Sequence, residues 1–243
     1  MAEVLRRKLV LSGSGSASGG TYQEVKVSGE CTIYGHLDCT EFKIYGTSHV
    51  EGDVKTSFFK IMGNSIIVGS VDAADARIYG ESDIGGDLSV QRLKLFGSVK
   101  VGGSLTGDTL SIGGEASVQK DCEAETFKVN GGFTIGGLLN AGLIEIVPYG
   151  PCHAREIGGG TIKVQRSGIG YQLHKLFHFA TARDHYLTAD TIEGDTIHLE
   201  YTKARVVRGA RVVIGPGCQI ETVEYKESLE LSADAVVKQH VKV

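Results

Sequence analysis

Two groups of residues in this sequence have the types and spacing for chemistry. Cys152 and His153 stand side by side, a thiol next to an imidazole that could deprotonate it. Adjacent residues on a strand point to opposite sides, and no oxyanion donor accompanies this pair, so nucleophilic catalysis is not expected. His174 and His178 share the i,i+4 spacing of a helix face, with His185 beyond them. A metal site needs a third ligand and ordered outer partners, and the sequence offers neither. GGGTI (158–162) is glycine-rich but lacks the lysine and hydroxyl of a phosphate loop. The five cysteines, Cys31, Cys39, Cys122, Cys152 and Cys218, are odd in number and show no CxxC spacing. They read as a reduced chain without a disulfide framework. The expectation is no catalytic residue, no cofactor and no metal.

The elements that would position any such group are set by a strict period. Glycine recurs at 29, 46, 63, 80, 97, 114 and 131, a constant step of 17. Two positions before each lies Val27, Ile44, Ile61, Ile78, Leu95, Ile112 or Val129, and four positions after each lies another aliphatic residue. A short fixed period means one structural unit stacked on copies of itself. Within FKIYGTSHVEGDVKT (42–56) the pairs Phe42/Ile44, Ser48/Val50 and Val54/Thr56 each enclose one polar residue, the two-residue period of a strand. Gly46 and Gly52 fall at corners, where glycine permits a sharp or positive-φ turn. The prediction is an all-β solenoid with about 17 residues per rung and three short inward-facing strands in each. Rungs stack by parallel pairing about 4.8 Å apart.

SGSGSASGGTY (12–22) has the composition of a linker. Leu9, Leu11, Gly13, Ala17 and Gly19 nevertheless match the rung positions, offset by 16 from the next copy, so the segment is read as a rung that leaves a short N-terminal tail. After Ile146 the period fails, although Ile157, Ile162 and Val164 keep the alternation. Residues 167–187 break it, as a short amphipathic helix or a loop. The organisation expected is a regular β-helix over 1–146 and a less regular continuation or second β lobe over 147–243.

Two outward columns are candidate binding surfaces. Lys26, Lys43, Lys60, Arg77, Lys94 and Lys128 form a basic row, where like charges one rung apart repel by roughly 0.8 kcal/mol in water. It reads either as a face for an anionic partner, a lipid head group or an acidic protein surface, or as a solvated face that discourages stray sheet pairing. Tyr45, Met62, Tyr79 and Phe96 form an apolar row two positions further on. That stripe is a candidate lateral protein contact, or a self-stacking ladder that serves stability alone. His36, Asp53, Asp87 and Asp121 form an acidic row that offsets the basic one in the net field.

The chain has 243 residues and a net charge of −4, which disfavours nucleic acid or an anionic membrane as a general partner. No apolar run approaches the roughly 18 residues of a membrane span. No signal peptide is visible, so a cytoplasmic location is expected, with any membrane contact peripheral. The N-terminal MAEVLRRKLVL is too short and too weakly amphipathic to predict such contact.

The rung pattern, together with IEGD (192–195), LEYTKARVVRG (199–209) and VVIGPGCQIETVEY (212–225), resembles the bactofilin family of bacterial polymer-forming proteins. Among these, it is most similar to the longer bactofilin-like proteins of spore-forming Gram-positive bacteria. The resemblance implies a right-handed β-helix and self-assembly without nucleotide, with roles in cell shape, envelope organisation or motility. For the Gram-positive relatives it also implies a link to flagellar assembly. The chain departs from the short bactofilins in lacking their disordered, often Pro-rich tails and in adding the irregular second half.

The end rungs, near Leu9–Gly19 and Ser228–Val237, are where a solenoid leaves strand edges and core side chains uncovered, a template for joining further copies. The leading expectation is therefore a structural protein whose partner is itself, with envelope or flagellar proteins as further partners. The alternatives are a hexapeptide-type acyltransferase, which wants six-residue repeats and a catalytic His on an intersubunit loop, and a non-polymerising protein-binding scaffold. The period of 17 and the absence of a singled-out His weigh against the acyltransferase. The loops are too short for a polysaccharide lyase of this fold.

Overall fold

The computed structural model describes residues 7–166 and 186–243. His174, His178, His185, most of the irregular stretch 167–187 and the first six residues lie outside them. The fold is an all-β, right-handed β-solenoid of parallel strands stacked about every 17 residues. Its contacts divide into two compact units, Met1–Lys120 and Asp121–Val243.

The first unit holds β1 (Lys8–Leu11), β2 (Ser14–Val27), β3 (Glu30–Ile44), β4 (Thr47–Val50), β5 (Val54–Ile61) and β6 (Asn64–Ile67). It continues through β7 (Val71–Ile78), β8 (Glu81–Ile84), β9 (Leu88–Leu95), β10 (Ser98–Val101), β11 (Leu105–Ile112) and β12 (Glu115–Val118). Ile44 pairs with Ile61, Ile61 with Ile78 and Ile78 with Leu95, and all four are fully buried. The predicted column is thus an interior column. Each such side chain is worth about 1.5–3 kcal/mol over leaving it in water.

Each regular rung contains a short strand such as β4 and a strand twice as long, such as β5. The longer strand carries two of the three inward pairs. In β5 the inward residues are Val54, Thr56, Phe59 and Ile61, and the extra step between Thr56 and Phe59 bends the strand around a corner.

Glycine is required at the other corners for a reason the sequence did not suggest. In the column from Gly29 to Gly114 no glycine has positive φ. A methyl group on Gly80 would instead collide with the carbonyl oxygen of Gly63, and one on Gly97 with that of Gly80. Successive corners stack too closely for a Cβ. The positive-φ reading holds at Gly35 (φ +93°) and at Gly13 (φ +78°), where the N-terminal segment turns from β1 into β2. There Leu9 pairs with Val25 and Ala17 with Ile33, which keeps the shortened offset expected of this first rung.

The second unit holds β13 (Cys122–Val164), β14 (Leu187–Leu199), β15 (Thr202–Ile214), β16 (Gln219–Leu231) and β17 (Val236–Lys242). Here the count per rung varies. Gln165 N–H donates to the Ile146 carbonyl, a step of 19 in the numbering, where Met62 N–H in the first unit donates to Ile44, a step of 18. That turn of the solenoid is longer by a single residue. Ile162 then pairs with Ile197, spanning the stretch at 167–185. Ile197 pairs with Val212, a shorter step of 15, and Val212 with Leu229, a step of 17. The inward alternation survives these changes because successive rungs keep their buried pairs, Ile162/Val164, Ile197/Leu199 and Val212/Ile214, until Leu229/Leu231 at the end.

Candidate interaction face

In the first unit, the second half of each long strand and the residue after it turn three side-chain columns outward. The middle column is the basic row and the last is the apolar row. Tyr45, Met62, Tyr79 and Phe96 are 43%, 51%, 46% and 60% exposed, so the four form a continuous uncovered stripe. The Tyr79 and Phe96 rings stack 5.4 Å apart. Lys26 Nζ lies 5.3 Å from the centre of the Tyr45 ring, and Lys60 Nζ lies 5.9 Å from both Tyr45 and Tyr79. The two candidate rows are therefore one surface, with ammonium groups resting against aromatic faces.

The first of the three columns was not singled out in the sequence. It contains Glu24, Glu41, Phe58, Asp75 and Arg92, two positions before the basic row. Lys43 is bonded to Glu41 and lies 3.4 Å from Glu24. These carboxylates, Glu41 foremost, push the Lys43 ammonium pKa up. Asp75 receives Arg77 at 2.9 Å and Arg92 at 3.2 Å. Burial alone would raise the Asp75 pKa, and the two guanidiniums outweigh it and hold it low. Glu24 is held low chiefly by its hydrogen bond from Lys8, at 3.0 Å. The signal available in the sequence was the i,i+2 sign change in Glu24–Lys26, Glu41–Lys43 and Asp75–Arg77. It was obscured because this column adjoins the bend, where Ser57 and Phe58 both face outward and the alternation slips.

The structure thus gathers Lys26, Lys43, Lys60, Arg77 and Lys94 on one face. Lys128 belongs to the second unit, where it is paired with Glu145 at 2.7 Å. The acidic row has a structural task. Asp53 Oδ1 accepts the Ser70 N–H at 2.8 Å, Ser70 Oγ accepts the Asp87 N–H at 3.1 Å, and Asp87 Oδ1 accepts the Ser104 N–H at 2.8 Å. Asp121 does the same for Leu138 in the second unit. Each side chain thereby satisfies a corner donor on the next rung.

The cysteines are packing residues. All five are buried, and burial pushes the Cys122 and Cys152 thiols up to about 12 and Cys218 to about 11. Cys152 points into the core while the His153 ring meets Thr188 Oγ1 at 3.0 Å outside, so the two side chains do not form a pair. Among the described residues, no cluster of three or more His, Cys, Asp or Glu could hold a metal ion. No described helix is long and apolar enough to cross a membrane.

No family model matches the chain, and no solved structure matches it. The chain is 59% identical to the YhbE protein of Bacillus subtilis (strain 168) over 238 residues, covering 97% of this chain and 98% of that one. It is 41% identical to YhbF of the same organism over 108 residues, covering 44% of this chain and 42% of the relative. With a likeness of that strength running almost end to end, the chain belongs to the family of Bacillus subtilis YhbE.

Proposed function

We propose that this is a structural, bactofilin-like protein that joins copies of itself end to end, without nucleotide, into a polymer or scaffold. It works in the cytoplasm or at the inner face of the membrane, in envelope organisation, motility or flagellar assembly. The observation that carries this reading is the exposure of inward-facing apolar residues at the last described rung. β17 ladders with β16 along one edge. Leu231, which pairs with the fully buried Ile214 of the rung before, is 44% exposed, and Val237, which pairs with the buried Ile220, is only half-buried. The edge of a parallel ladder offers another copy both backbone hydrogen bonds and apolar contact. The bactofilin-like strings and the regularity of the repeat support the same reading.

Electron microscopy of the purified full chain, with and without nucleotide, tests it. Filaments in both samples are expected. Monodisperse monomers at high concentration overturn self-association, and a discrete trimer favours a hexapeptide-type acyltransferase instead.

A further inference from the structure

We propose that the cationic, aromatic face of the first unit is a docking surface for an anionic lipid bilayer. The face carries seven cations, Lys8, Lys26, Lys43, Lys60, Arg77, Arg92 and Lys94, against three carboxylates, Glu24, Glu41 and Asp75. That local excess of four positive charges sits on a chain whose net charge is −4. The excess is also ordered. Lys43 and Arg77 are taken up by carboxylates of the neighbouring column. Lys26, Lys60 and Lys94, on alternate rungs, have no carboxylate partner among the described residues. They are about 9.6 Å apart at two rungs each. That is slightly more than the Debye length of about 8 Å at physiological salt and within the roughly 10 Å at 0.1 M, so an opposing surface meets them as an increasingly continuous field as salt falls.

The aromatic column supplies the second half of the argument. Tyr45, Met62, Tyr79 and Phe96 stand in one straight ladder beside these lysines, and each is 43% to 60% exposed. Tyr and Phe rings settle at the boundary between head groups and acyl chains, while lysine stems run along the rings and keep the ammonium at the phosphates. The contacts of Lys26 with Tyr45, and of Lys60 with Tyr45 and Tyr79, already hold the side chains in that relation. A row of rings on a regular ladder complements a planar surface.

The rest of the rung sets the orientation. Four aspartates, Asp38, Asp53, Asp72 and Asp87, outnumber Lys55 and His36 in a groove of about 570 Å³ away from these columns. An anionic surface repels that side while it attracts the lysine face. The proposal goes beyond self-association and holds for a single copy. In a polymer the same face would repeat and gain avidity.

The test is flotation of the full chain with vesicles of phosphatidylglycerol mixed into phosphatidylcholine, against vesicles of phosphatidylcholine alone. Wild type is expected to float with the anionic vesicles only and to be released by added salt. K26E/K60E/K94E is expected to bind at least on the order of a hundredfold more weakly, from about fivefold for each surface cation lost and more for the charge reversal. K55E/K100E/K120E makes the same change in net charge elsewhere in the unit and is expected to stay close to wild type. K26Q/K60Q/K94Q serves if the glutamate variant does not fold by circular dichroism. Equal binding to both vesicle types, no binding, or equal loss in the two triple variants overturns the proposal. So does a wild type that ignores vesicles and binds polyglutamate, which makes an acidic polypeptide the occupant. Because flotation does not require polymer, an end-rung variant without filaments that still floats separates this surface from end-to-end joining.

Discussion

Tyr79 and Phe96 occupy the same position on successive rungs, and their rings stack with centroids 5.4 Å apart and planes 7° from parallel. The stack is inherited from the backbone: Ile78 pairs with Leu95 directly beneath it, and the Phe96 N–H donates to the Ile78 carbonyl at 2.8 Å. A double-mutant cycle of Tyr79→Ala and Phe96→Ala should give a coupling of about 0.5–1.5 kcal/mol, the usual worth of an aromatic pair beyond its area. Each ring is roughly half exposed, so each single change should cost only about 1 kcal/mol in urea denaturation. Zero coupling would mean that the ladder aligns the rings without their attracting one another. The small expected cost matters for function, because stability alone then gives little reason to expose four large apolar side chains in a row.

The glycine column is where stability is most sensitive. Gly80→Ala should destabilise the protein by about 3 kcal/mol or more, as overpacking against fixed backbone. Gly15→Ala should be nearly silent, since a methyl group there meets nothing within 4 Å. Chemical denaturation midpoints of the two variants decide the matter. Equal midpoints would show that adjacent corners can move apart and that their stacking is not what demands glycine.

Asp75 ties the electrostatics of the face to pH. Its folded-state carboxyl is held below the ordinary aspartate value by Arg77 and Arg92, against the opposing effect of burial. A depressed carboxyl pKa contributes stability that is complete above the unfolded-state value and lost as pH falls through the folded-state one. Asp75→Asn should therefore cost roughly 0.5–1 kcal/mol at neutral pH, the range of partly exposed ion pairs. The gap from wild type should close in acid. Urea titrations at neutral and at strongly acidic pH measure this, and a gap of constant size would assign the loss to packing.

What the sequence disclosed and what it hid follow from the same physics. The Ile44–Ile61–Ile78 column was legible because inward side chains repeat at fixed count and nothing else places aliphatic residues so regularly. The extra residue between Ile146 and Val164 was not, because lengthening a turn preserves the alternation while changing the sum. The basic and aromatic rows were legible as lists of residues. Their union into one surface was not, because it depends on Lys60 leaning between Tyr45 and Tyr79, a side-chain direction that spacing does not encode. Nor did the sequence reveal that Lys43 and Arg77 are neutralised, since Glu41 and Asp75 sit beside a bend that breaks the two-residue period.

The side of β17 that faces away from β16 yields a test that leaves the rest of the fold in place. Val236 N–H donates inward to the Cys218 carbonyl at 2.9 Å. Successive residues of a strand turn their N–H groups to opposite sides, so the next donor, on Val237, faces away from β16 and toward any copy docked on the edge. Proline at an outward-facing edge position removes no bond of the native ladder and is tolerated there. Val237→Pro should keep the β-sheet circular dichroism and fall by no more than about 1 kcal/mol in stability, while filament formation fails. The matching change on the inward side, Val236→Pro, removes a native bond and should lose stability as well. If Val237→Pro still forms filaments of normal length by electron microscopy, copies are not being added by extension of this ladder. Growth would then have to use a side of the solenoid instead of its end.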